Sequence, residues 1–171
     1  MKQMLLLPLG LGLVSFAWAQ AAPENPAHPH DPQAEHAHGV EERGDKGMGF
    51  RHDLTGHHFY LLSEGGAIAV AANDPNDAAS RDAIRAHLAT IAGMFRDGNF
   101  SIPMFVHATV PPGVAAMKEL RKEISYEAEP TKDGAQVTIL TSNPKALAAI
   151  HEFLRFQITD HRTGDPLEVR K

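Results

Sequence analysis

An α+β domain, an antiparallel sheet with helices packed on one face, is the fold this sequence predicts, and three observations carry that prediction. Two pairs of short apolar runs flank glycine-containing turns, two longer segments each carry a single apolar stripe at helical spacing, and the two resulting series resemble one another. A helix with one apolar stripe must bury it against another element, here the sheet.

The elements follow in order. Residues 59–62 and 67–71 are apolar runs either side of Ser63, Glu64, Gly65 and Gly66, which reads as a β-hairpin. After Asn73, Asp74 and Pro75, a helix is predicted over about 77–95, because Ile84, Leu88, Ile91 and Phe95 share a face. Asp97, Gly98 and Asn99 stop it. Residues 102–110 alternate Met104, Val106 and Ala108 with Phe105, His107 and Thr109, a strand-like pattern that Pro103 confines to a sheet edge. Pro111, Pro112 and Gly113 introduce a short helix through Met117 and Leu120 to about Glu123. A second hairpin pairs Ile124, Tyr126 and Ala128 with Val137 and Ile139 around Thr131, Lys132, Asp133 and Gly134. Asn143 is suited to cap, and Pro144 to begin, a last helix to about Asp160 with Leu147, Ile150, Leu154 and Ile158 on its stripe. Ala83, Ile84, Leu88 and Gly98 recur as Ala149, Ile150, Leu154 and Gly164, at an offset of 66. A duplicated hairpin-plus-helix unit would produce this agreement; so would chance similarity between two amphipathic helices.

Composition divides the chain into four parts. Residues 1–19 combine Lys2, an apolar run and the small-residue pattern Ala17, Trp18, Ala19, the marks of a general secretory signal peptide cleaved after Ala19. That run is short for a bilayer span, so no stable membrane anchor is expected after cleavage. The expected location is the periplasm or the exterior. Residues 20–49, rich in proline, charge and glycine, read as a disordered His/Pro-rich tail. Residues 50–162 form the single globular domain, and 163–171 a loose end. The net charge of −5, with no basic cluster, offers nucleic acid no electrostatic footprint. The absence of cysteine excludes disulfides and thiolate metal sites, so a packed core must supply stability.

The string Met48, Gly49, Phe50 through His57, His58 and Phe59, with His151, Glu152, Phe153, Leu154, Arg155, Phe156, Gln157 and then Thr163, Gly164, Asp165, resembles a family of small, uncharacterised exported bacterial proteins with a His-rich tail. The resemblance covers residues 48–165. It implies a discrete domain behind a variable tail, and no activity, cofactor or catalytic residue.

Eleven histidines make imidazole the main soft-metal ligand. In an extended tail, His28 with His30 and His36 with His38 project to the same side as two chelating pairs, a weak site for copper or zinc. His52, His57 and His58 crowd the first strand, but neighbours on a strand face opposite ways. One of His57 and His58 should point inward, and the trio reads better as capping and sheet-edge hydrogen-bonding groups than as a metal site. His87 and His151 fall on the core-facing stripes of the two long helices, and His107 on the nearby strand can meet them. Three converging imidazoles would make a copper or zinc site, with Met94, Met104 or Met117 as thioether ligands for copper(I). The competing reading is that each histidine bonds separately to a carbonyl or carboxylate.

No Gly-x-Ser-x-Gly, His-Glu-x-x-His or phosphate-cradling glycine turn is present, so no catalytic residue is assigned. Two functions follow as expectations: a periplasmic or secreted metal-binding protein that buffers or delivers copper or zinc, or a metal-free ligand- or protein-interaction module with structural or pH-responsive histidines.

Overall fold

The computed structural model describes residues 31–170; the expected signal peptide, His28 and His30 lie outside the described residues. Those described form an α+β unit whose four-stranded antiparallel sheet has the order β1-β2-β4-β3, from strands β1 (Thr55–Leu62), β2 (Gly65–Ala72), β3 (Ile124–Pro130) and β4 (Gly134–Thr141). Helices α1 (Pro32–Met48), α2 (Ala78–Arg96), α3 (Ser101–His107), α4 (Val114–Glu119) and α5 (Pro144–Asp160) accompany it, with 3₁₀ turns at His52–Leu54 and Arg121–Glu123. No described helix is long and apolar enough to cross a membrane.

The long helices begin where their capping residues stand. Asp77 accepts a hydrogen bond from Ser80 N at 3.0 Å. Asn143 accepts from Lys145 N and Ala146 N, with Pro144 as the first helical residue. Both helices lie on one face of the sheet, burying Ile84, Leu88, Ile91, Ile150, Leu154 and Ile158 against Phe59, Leu61, Ile68, Val70, Val137 and Ile139. Each such side chain contributes about 1.5–3 kcal/mol by leaving water.

The architecture has an approximate internal two-fold. β3 and β4 begin 69 residues after β1 and β2, Arg121–Glu123 lies 69 after His52–Leu54, and α5 begins 66 after α2. β2 and β4 pair at the centre with Ile68 opposite Val137, so Gly65 opposite Leu140 is matched by Gly134 opposite Ala71. The packing repeats too: a Cβ on Gly65 would stand 1.9 Å from Ile139 O, and one on Gly134 2.0 Å from Val70 O. The repeated unit is helix, 3₁₀ turn, hairpin, helix, larger than the hairpin-plus-helix legible in sequence. It pairs α1 with α4, whose ends carry Met48 and Met117.

Three expectations are corrected. Residues 32–48 are helical, not part of a disordered tail: Asp31 accepts from Gln33 N, Pro32 opens the helix, and Gly49 closes it at φ 77°. Its polar surface is held by tertiary bonds, Arg43 Nε to Val106 O at 2.8 Å and Arg162 to Gln33 O at 3.0 Å. On this helix His36 and His38 are about 200° apart, so the extended chelating pair does not form. Residues 101–107 are helix α3 rather than an edge strand; Pro103 sits in the first turn, where no backbone donor is lost. The C-terminal end is tied down: Arg170 N bonds Leu61 O, and the Arg170 guanidinium lies 3.6 Å from the centre of the Tyr60 ring. The 66-residue offset ends on two left-handed glycines, Gly98 at φ 76° and Gly164 at φ 74°, although the helices close at different places. The left-handed residue closing α2 is Gly98 (φ 76°), and its counterpart after α5 is Arg162 (φ 53°), two residues before Gly164.

Candidate functional site

Between the helices and the β1–β2 end of the sheet lies a cavity of about 70 Å³. Five soft or polar donors reach its wall from five places: Met48 at the end of α1, His57 on β1, His87 on α2, His107 on α3 and His161 just beyond α5. The rest of the lining is apolar apart from Gln157, and no charged side chain takes part. A second cavity of about 210 Å³ shares Met48, His57 and His161 with the first and opens toward Glu41 and His52.

Strand parity brings His57 inward, because it shares a face with Phe59 and Leu61. Its Nε2 stands 3.1 Å from Met48 Sδ. The His57 and His161 rings are parallel with centres 6.0 Å apart, and His161 also meets the His107 ring edge-on at 4.9 Å. His87 packs edge-on against Phe50 at 5.6 Å.

These surroundings keep three imidazoles neutral. Burial first, then repulsion from His87, His58 and His52, pushes His57 down to about 4. Burial alone takes His87 to about 4. His161 falls to about 3 through burial and its neighbours His107 and His57, against a smaller opposing pull from Asp160. Neutral rings present free nitrogen lone pairs at physiological pH.

His107 is committed differently. Its Nδ1 lies 2.5 Å from Asp160 Oδ2, and the other carboxylate oxygen of Asp160 is 2.8 Å from His36 Nε2 on α1. Burial alone would raise the Asp160 carboxyl; the bonds to His107 and His36 outweigh it and hold the group below the ordinary range. His107 Nε2 stands 2.9 Å from Gln157 Oε1, which leaves the buried Gln157 Nε2 without a protein partner in the cavity wall.

Of the three predicted body ligands, the fold brings His87 and His107 to this cavity and places His151 elsewhere. His151 Nε2–H is shared between Leu62 O at 2.9 Å and Gly65 O at 3.0 Å, which fastens α5 to the first hairpin turn. Replacing His151 with alanine should therefore lower stability by about 2 kcal/mol in urea titrations and leave ligand uptake unchanged. Met94, Met104 and Met117 do not line the cavity. His52 bonds Asp45 through its backbone N–H and its ring, and His58 bonds Asp165, as hydrogen-bonding roles for that trio anticipate. Among the described residues, no three His, Cys, Asp or Glu side chains stand close enough to hold a metal ion by themselves.

His57, His161 and Met48 are the residues the sequence reading missed. His161 continues the spacing of Leu154 and Ile158, a usable signal; Met48 had none, since its position depends on α1 folding back.

The two-fold explains where the cavity comes from. At the equivalent places in the other half, Met117 stands for Met48, Tyr126 for His57, Phe153 for His87 and Phe95 for His161. There the rings pack on one another, Phe95 meeting Tyr126 and Phe153 edge-on, each at 5.8 Å, and Phe95 and Phe153 also form the inner wall of the cavity. α4 packs against α5, whereas α1 packs chiefly on α3. The cavity is thus the half in which imidazoles replace an aromatic cluster and the covering helix has moved aside.

Comparison with protein-family models, with curated proteins and with solved structures finds no match to this chain, so the site is read from its own chemistry.

Proposed function

We propose that this is an exported metal-binding protein that holds one soft metal ion, copper or zinc, in the histidine cavity, for buffering or delivery in the periplasm or outside the cell. One observation carries the reading: Met48 Sδ and His57 Nε2 stand 3.1 Å apart at a cavity wall that also bears His87, His107 and His161. Two donors about 2.0 and 2.3 Å from a shared ion at a tetrahedral angle stand about 3.5 Å apart, so the pair needs to open by only about 0.4 Å to hold one. Protonation does not compete for these nitrogens until well below neutrality.

The symmetric half suggests the variants. His57→Tyr, His87→Phe and His161→Phe copy residues that already pack in this frame, so the chain should stay folded. Calorimetric titration of the mature protein with copper and zinc should give one saturable site, abolished in the triple variant. It should persist when His28, His30 and His38 are changed to alanine, and between pH 7.5 and 6 it should weaken far less than a tail site. No saturable binding by the folded protein, or binding lost only with the tail histidines, sinks the proposal. The orphaned Gln157 amide favours a second reading, a small polar ligand held without metal, and that reading gains if metals fail to bind.

A further inference from the structure

We infer that the ion this cavity selects is copper(I), held by the Met48 thioether and His57 with His161 as the adjoining donor, in preference to zinc or copper(II). The inference rests on the metal reading above and names its substrate. Three features lead to it.

The first is the donor set. Thioether sulfur binds borderline or hard dications weakly and favours copper(I), and Met48 Sδ is the group nearest His57 Nε2. The second is charge. No acidic side chain lines this cavity: Asp160 is occupied by His107 and His36, and Glu41 borders only the adjoining cavity, 3.7 Å from His52. The cost of burying an ion grows with the square of its charge, so an uncompensated dication costs about four times as much as a monovalent one. The third is ligand number. A tetrahedral zinc site calls for four ligands, or three and a water. Here no three His, Cys, Asp or Glu side chains converge among the described residues. Copper(I) is satisfied by two or three neutral donors, and the apolar Phe59, Ile91 and Val106 line the cavity beside them.

The test is an anaerobic competition of the full mature protein against bathocuproine disulfonate for copper(I), alongside zinc with a zinc-binding dye. One copper(I) per chain is expected, with zinc bound at least about a hundredfold more weakly, and copper-edge X-ray absorption should show one sulfur at about 2.3 Å. Met48→Leu, nearly the same size, should weaken copper(I) at least about tenfold and leave zinc unchanged. Zinc bound as tightly as copper(I), or an absorption spectrum without sulfur, overturns the copper(I) assignment while the metal reading stands. No metal taken up by the folded protein removes both. The spectrum is read on the natural sequence, so the result does not depend on how the variant folds.

Discussion

Gly65→Ala is expected to destabilise the protein by about 3–5 kcal/mol, enough to remove much of the roughly 5–15 kcal/mol by which a domain of this size exceeds its unfolded state. The added methyl would stand 1.9 Å from Ile139 O and 2.8 Å from the carbonyl carbon behind it. Neither neighbour is a flexible side chain that can swing away. The backbone of β2 would have to part from β4 at the centre of the sheet, and Gly65 also holds φ 150°, where an L side chain is strained. Gly134→Ala should cost a similar amount, because the two-fold puts Val70 O in the same relation to it. The contrast is Gly93→Ala in α2, where a Cβ meets nothing within 4 Å. That change should stabilise by about 1 kcal/mol. Urea unfolding midpoints of the three variants check the set, and equal midpoints for Gly65→Ala and the natural protein would contradict the packing described.

The second large effect is acid lability. His57, His87 and His161 have folded-state values of about 4, 4 and 3, below the 6.5 of an unfolded histidine. Between those limits the unfolded chain binds protons that the folded chain refuses. Their contribution to stability is complete above about pH 6.5 and is lost progressively as pH falls toward 4. Each histidine that stays neutral removes up to about 1.4 kcal/mol per pH unit. The metal-free protein should show a flat urea midpoint above pH 7 and a steep decline from pH 6 to 4.5. The variant carrying His57→Tyr, His87→Phe and His161→Phe should lose most of that slope and be more stable at every pH, since it fills the cavity. The Asp160 carboxyl, held below its ordinary range by His107 and His36 against the opposing effect of burial, adds a further loss only at still lower pH. A midpoint at pH 5 equal to that at pH 7.5 would show that these rings are not desolvated.

Sequence periodicity was sufficient for the two hairpins and for α2 and α5, because a buried stripe or an alternating face is written in adjacent residues. It was insufficient for α3, where seven residues alternate as a strand would and only the backbone geometry around Pro103 decides. α1 was illegible for another reason. With Gly39, Gly44 and Gly47 it is a poor helix on its own, and its order comes from Asp160, Val106 and Arg162, residues distant in the chain. The site divides the same way. His87 followed from a helical stripe, His107 reached the cavity although its element was misassigned, and His57 was missed because strand parity alone left open whether it or His58 faces inward. His151 sat on the right stripe but one turn too near the hairpin, where carbonyls claim its ring nitrogen.

Two halves that share a frame but not a filling should tolerate change unequally. His57, His87 and His161 are expected to accept the aromatic residues of the other half with little harm to folding, whereas truncating Phe95, Tyr126 or Phe153 removes the ballast that keeps the chain together. A saturation scan scored once for abundance and once for ligand retention should split along this line, the aromatic cluster governing how much protein survives and the histidine cluster what it holds.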